Sequence, residues 1–216
     1  MTAELLLAFA LFAVVSSITP GPNNLMLLAS GVNFGFRATV PHILGIGAGF
    51  AVLLLAVGGG LAALFVRWPW VHAGLQWVGA AYLLWLAWRL ARSGAPTEGP
   101  AGTAEPLGFW GAAAFQWVNP KAWIMGVTAF TTYVQAPNAG TVAVMAALFA
   151  LINLPCLSTW ALLGSRLRGW MTVGSRQRVF NALMGALLVL SLWPMLRQPE
   201  PAQRTIHASI STSYRP

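Results

Sequence analysis

The sequence predicts an all-α membrane protein of six transmembrane helices, built as two inverted three-helix repeats with helices one and four broken. Three observations carry this. Of 216 residues, 57% are hydrophobic and 7% charged, against about 25% charged in soluble domains. The apolar residues fall into six runs, each near or above the roughly 20 residues that cross a bilayer as a helix. Two of these runs carry proline breaks at corresponding places, Thr19-Pro20-Gly21-Pro22-Asn23-Asn24 in the first and Gln116-Trp117-Val118-Asn119-Pro120-Lys121 in the fourth.

The first span runs from about 3 to 30. Pro20 and Pro22 remove two backbone donors and Gly21 loosens the chain between them, so no regular helix passes through. Lipid forbids unsatisfied backbone, so the break must be buried among helices or line a polar cavity. Met1-Thr2-Ala3-Glu4 lacks a basic signal-peptide region, and the run is read as a retained span. The second span, about 40–66, carries Gly45, Gly47, Gly49 and Gly58-Gly59-Gly60, which let neighbouring helices approach closely. The third, about 70–90, is rich in Trp and Leu. Trp68 and Trp70 flank Pro69 at a turn suited to the membrane interface. The fourth spans about 108–134, the fifth about 139–164 and the sixth about 179–196.

These spans form one transmembrane domain, 1–197. Repeat one covers about 3–92, a Gly/Pro/Ala/Thr-rich linker about 91–107, and repeat two about 108–197. The polar tail, 198–216, has the composition of a disordered segment. With six spans, the loops joining one to two, three to four and five to six share a side. They carry Arg37, Arg89, Arg92, Arg166, Arg168, Arg176 and Arg178, seven in all. The other side has Arg67, Arg197, Arg204 and Arg215. The positive-inside rule then places both termini outside. The arginines punctuate apolar runs and form no stripe, so the net charge of +8 does not point to nucleic acid.

A weak repeat underlies the pairing of halves. Span one has Pro-Gly-Pro-Asn and span four Asn119-Pro120-Lys121. Span three has Gly79-Ala80-Ala81-Tyr82-Leu83-Leu84 and span six Gly185-Ala186-Leu187-Leu188-Val189-Leu190. Three spans per half is odd, so the halves are inverted, and the site of such transporters lies between the breaks.

Lys121 is the sharpest candidate. A lysine at the membrane midplane costs about 2.5–3.5 kcal/mol on insertion scales. The acidic residues are Glu4, Glu98, Glu105 and Glu200, and no span carries a central carboxylate. Water, backbone carbonyls freed by the breaks, or a substrate carboxylate must offset the charge; a snorkelling, interfacial lysine is the plainer alternative. The expected binding residues are Pro20, Gly21, Pro22, Asn23, Asn24, Gln116, Asn119, Pro120 and Lys121. The half-helix start after Pro22 offers free N–H groups and a positive dipole end to an anion. His42, after Pro41, is a candidate for proton coupling or an interfacial residue, and His72 lies near a turn. Asn153 and Asn181 are expected to make interhelical hydrogen bonds or to line a cavity. Cys156 is single, so no disulfide within the chain or Cys-x-x-Cys pair exists, and it reads as a packing residue.

Thr19-Pro-Gly-Pro-Asn-Asn24, Gly35-Phe36-Arg37, the glycine-rich second span, Gly79-Ala-Ala-Tyr-Leu-Leu-Trp-Leu-Ala-Trp-Arg89 and Asn119-Pro-Lys121 together resemble the LysE/RhtB amino-acid exporters over about residues 5–197. Trp85-Leu-Ala-Trp88 and Gly126-Val-Thr-Ala129 look most like the branch that exports cysteine and O-acetylserine. The resemblance implies efflux of amino acids or derivatives across the bacterial inner membrane, driven by the proton-motive force. It implies motif roles for Pro20, Gly21, Pro22, Asn23, Asn119, Pro120 and Lys121.

The expected partners are a small amino-acid substrate and the lipid bilayer, with neither cofactor nor nucleic acid, and self-association is compatible with the sequence. Without a carboxylate relay, His42, Lys121 or the substrate must couple protons, or transport is uncoupled. A cationic substrate would lack a counter-charge beside Lys121, which favours small neutral amino acids over lysine or arginine. A metal exporter needs clustered ligands, a redox carrier needs paired cysteines, and a hydrolase needs a base beside Ser16 or Ser17; the sequence supplies none of these. A membrane assembly protein would not account for two matching breaks.

Overall fold

In the computed structural model, residues 2–61, 67–92, 105–134, 138–171 and 175–193 are described. Most of the expected linker and the whole 198–216 tail lie outside these residues, as does the side chain of His72. Among the described residues the regular structure is entirely helical: α1 (Ala3–Ile18), α2 (Pro22–Phe34), α3 (Phe36–Ala56, continued by a π turn at Val57–Leu61), α4 (Pro69–Ala91), α5 (Phe109–Phe115), α6 (Pro120–Tyr133), α7 (Ala139–Met171) and α8 (Arg176–Leu190).

Both expected breaks are present. α1 and α2 meet at a 54° bend, and Pro22 and Pro120 each sit at the start of a second half-helix, where a missing N–H is harmless. Helix 36–61 and α7 are individually long and apolar enough to cross a membrane, and the bent α1–α2 pair is a third crossing if it forms one span.

Some boundaries differ from expectation. The second span starts at Phe36 and not near 40, because Gly35 turns the chain in one residue. Its φ of 83° is a left-handed conformation open to glycine, and its N–H closes α2 on the Gly31 carbonyl at 2.9 Å. α7 has 33 residues and runs to Met171, beyond the expected 164. At 1.5 Å per residue it is about 50 Å long, longer than the hydrocarbon core, so its final turns with Arg166 and Arg168 extend past it.

Glycines set the helix packing. A Cβ at Gly31 would strike the Ala161 carbonyl, and one at Gly164 the Leu28 carbonyl, so α2 and α7 touch backbone to backbone. Gly45 and Gly49 meet the Phe109 and Ala113 carbonyls of α5 in the same way, and Gly79 of α4 meets the Val118 carbonyl at the second break. Small residues at such crossings allow tight association in lipid. Phe9, Phe50 and Phe149 form an edge-to-face stack with ring centroids 5.0 to 5.6 Å apart. Leu7, Leu11, Val15, Val52 and Leu151 face outward, as a surface solvated by acyl chains requires.

The arginine-bearing loops gather at one end. Arg168 Nη1 donates to the Phe34 carbonyl at 3.2 Å and Arg89 Nη2 to the Glu105 carbonyl at 3.5 Å. Arg89 and Phe34 also line a common cavity. Arg89, Arg92 and Arg176 lie over Trp85, Trp88 and Trp170, pairings suited to an interface.

Candidate functional site at the paired helix breaks

A broken helix frees carbonyls, and the first break accounts for its own. The last turn of α1 leaves four carbonyls without helical partners. Thr19 Oγ1 donates to Val15 O at 2.7 Å and to Ser16 O at 3.0 Å. Asn24 Nδ2 reaches back to Ser17 O and Thr19 O, both at 2.8 Å. Trp160 Nε1 of α7 caps Ile18 O at 3.1 Å. Thr19 and Pro20 are exposed residues, whereas Gly21 and Pro22 are buried.

The second break is built differently. Residues 116–119 descend through tightened turns, with Gln116, Trp117 and Val118 N–H groups donating three residues back at 3.1–3.2 Å. Asn119 then caps α6, its Oδ1 accepting from the Lys121 N–H at 3.1 Å.

Two bridges join the breaks. Asn23 and Gln116 exchange amide hydrogen bonds, Asn23 Nδ2 to Gln116 Oε1 at 2.8 Å and Gln116 Nε2 to Asn23 Oδ1 at 3.2 Å. Lys121 Nζ donates to Thr19 O at 2.6 Å, with Thr19 Oγ1 at 3.4 Å and Pro20 O at 3.5 Å. Carbonyls freed by the first break thus meet this charge. Gly21 makes room, since a Cβ there would sit 2.7 Å from Lys121 Cδ and 3.1 Å from Nζ.

Beneath these bridges lies a cavity with about 330 Å³ of empty space including its mouth. Polar groups from both breaks, Asn23, Asn24, Gln116, Asn119 and Lys121, line it with Ser17 and Asn153. The starts of α2 and α6 both lie at this cavity, so two positive helix ends and one ammonium share it. Pro20, Pro22 and Pro120 shape the breaks and are not among its lining residues. His42 is not brought to this site. It is buried inside α3 and lines a second cavity, and neither ring nitrogen has a protein partner.

Six lining residues lie outside the expected binding set: Ser17, Phe50, Ala122, Met125, Asn153 and Leu157. Ser17 Oγ is buried without a protein partner; its position one turn before the break was the available signal. Asn153 lines the cavity, whereas Asn181 makes the expected interhelical bond, accepting from Asn33 Nδ2 at 2.9 Å. Phe50 gives one apolar wall, and no sequence pattern distinguishes it from core. Cys156 is buried and unpaired. Among the described residues no group of three or more His, Cys, Asp or Glu is placed to hold a metal ion.

Helices broken in pairs, with polar groups and a lysine meeting inside an apolar bundle, are the architecture of a multi-pass helical membrane transporter. The chain belongs to the LysE type translocator family, whose sequence profile matches residues 14–191. It is 36% identical over 191 residues to the cysteine/O-acetylserine efflux protein of Escherichia coli (strain K12), covering 88% of this chain and 96% of that one. It is 37% identical, with the same coverage, to the protein of that name from Salmonella typhimurium (strain LT2). No solved structure matches the chain significantly. The protein is a bacterial inner-membrane protein of the amino-acid efflux type.

Proposed function

We propose that this protein exports small neutral amino acids of the cysteine and O-acetylserine type, and that the paired breaks hold the substrate's α-carboxylate. The observation that carries this is the Lys121 ammonium, bound to the Thr19 carbonyl at the mouth of a cavity that two half-helix starts also face. A carboxylate entering there exchanges neutral acceptors for a charge-assisted partner. Asn23, Asn24, Gln116 and Asn119 offer amide groups to the rest of the zwitterion, with Gly21 giving clearance and Pro20, Pro22 and Pro120 fixing the geometry. The acidic residues of the described chain, Glu4 and Glu105, stand ahead of the first turns of α1 and α5 or within them, away from the cavity lining. A lysine or arginine side chain would therefore lack a counter-charge.

Matching proline starts in α2 and α6 support six spans in two inverted repeats within one domain, 1–197. The clustered arginines support a cytoplasmic placement of their end, with both termini outside. Coupling to the proton-motive force would run through His42, Lys121 or the substrate itself. The test is efflux from cells loaded with a panel of neutral and cationic amino acids. Faster loss of O-acetylserine, cysteine, threonine or homoserine from expressing cells supports the reading; loss of lysine or arginine alone refutes the substrate class.

A further inference from the structure

We propose that the cavity at the arginine end is a second station for the same zwitterionic substrate, an entry vestibule separated from the paired breaks by an apolar plug. This rests on the export reading above.

The two cavities share no lining residue, yet the same three helices connect them. Along α2, Asn23 lines the break cavity, Leu27 follows one turn on, and Ser30 lines the vestibule. Along α3 the order is Phe50, Ile46, His42. Along α5 and its approach it is Gln116, Ala112, Leu107. In the first two sets, spacings of three and four residues keep the side chains on one helix face; in the third, Leu107 stands just ahead of the helix. The middle member in each case, Leu27, Ile46 and Ala112, is completely buried, and the three belong to one apolar cluster. From Asn23 to Ser30 the rise is about 10 Å. A polar station, a one-residue-thick apolar layer and a second partly polar station thus lie in line.

The vestibule has its own chemistry. Its walls include Met26, Leu86 and Leu188, while Ser30, Asn33, His42, Arg89 and Glu105 supply polar groups. Ser30 Oγ and Thr39 Oγ1 are paired at 2.8 Å, and Asn33 is held by Gln177 and Asn181. His42 is 1% exposed, and both of its ring nitrogens lack a protein partner. Such a buried orphan is expensive unless a ligand or water meets it. Arg89 and Glu105, joined through the Glu105 backbone carbonyl, put one residue of each charge in the lining, the complement of an amino-acid zwitterion. An apolar pocket with a few convergent polar groups is the usual form of a small-ligand site.

The test is substrate protection of a thiol. Ala29→Cys, in a Cys156→Ala background, places a reporter in the vestibule lining; Leu90→Cys is a second reporter if the first does not reach the membrane. An impermeant thiol reagent is applied to inverted vesicles with and without O-acetylserine. Labelling is expected to slow in proportion to occupancy, by roughly tenfold when O-acetylserine is well above its half-protecting concentration. Protection should persist with Lys121→Ala and weaken with His42→Gln. A reporter that exports O-acetylserine but whose labelling O-acetylserine does not slow overturns the vestibule and leaves the break site standing. Protection lost with Lys121→Ala also overturns it, since one site then accounts for both. Export absent from both reporters and from the unsubstituted protein overturns the export reading instead.

Discussion

Lys121 Nζ lies 2.6 Å from the Thr19 carbonyl oxygen, joining residues 102 positions apart at the point where both helices are interrupted. The Thr19 carbonyl, freed by the first break and already accepting from Asn24 Nδ2, takes a second donor from the second break, an ammonium that the bilayer cannot solvate.

Gly21→Ala tests this clearance. Gly21 has extended backbone, φ −176° and ψ 177°, which alanine also adopts, so the fold should persist. The added Cβ, 2.7 Å from Lys121 Cδ, must push the lysine off Thr19. Moving the ammonium from its place at the cavity weakens its charge-assisted bond to the substrate carboxylate, about 1.5–3 kcal/mol, which predicts an export defect of about ten- to a hundredfold. Export assays at matched protein levels check it; wild-type export by Gly21→Ala would dissociate the lysine from transport.

The Asn23–Gln116 pair should behave as a coupled unit. Asn23→Ala or Gln116→Ala each leaves a partly buried amide without its partner, at a cost of about 1–3 kcal/mol. The double substitution should cost less than the two singles added. Thermal unfolding in detergent of all four proteins measures this, and strict additivity would mean that the two amides do not act together.

Gly164→Ala should be among the most damaging single-methyl changes, because its Cβ meets the Leu28 carbonyl. Overpacking of this kind costs about 1–3 kcal/mol. Gly59→Ala is the matched control, with nothing within 4 Å of the new methyl, and should leave the melting temperature nearly unchanged. Equal melting temperatures for the two variants would contradict the backbone contact between α2 and α7.

Orientation follows from the arginine end. Arg37→Cys, in a Cys156→Ala background, should react with an impermeant thiol reagent in inverted vesicles and remain unlabelled in intact cells. Labelling from outside would reverse the topology.

The sequence made the breaks legible because Pro20, Pro22 and Pro120 remove donors wherever they fall, and the apolar runs around them are long enough to cross a bilayer. It made Lys121 legible because a lone charge in such a run needs an explanation. It did not reveal which of three partners satisfies that charge. The answer depends on a carbonyl, and carbonyls carry no residue identity. Gly35 turning the chain in one residue, and thereby starting α3 at Phe36, was hidden because glycine is equally at home in helix packing and in a left-handed turn. His42 was placed near an interface from its position after Pro41, yet it is buried in α3. Pro41 is an interior residue of α3, where a proline costs one backbone hydrogen bond without having to end the helix, so the helix begins earlier than the proline suggests. Ser17 was not legible as a lining residue, and Asn153 was legible only as one of two alternatives, because a small polar residue in an apolar helix has the same pattern whether it faces a neighbour or a cavity.

The most direct test of the paired-break site is O-acetylserine counterflow in proteoliposomes containing purified wild type or Lys121→Ala, at equal protein and with matched melting curves. The account predicts exchange by the wild type and a loss of about ten- to a hundredfold in the variant, the loss expected when a charge-assisted contact is removed. Wild-type exchange by a folded Lys121→Ala protein would show that the substrate carboxylate is held elsewhere.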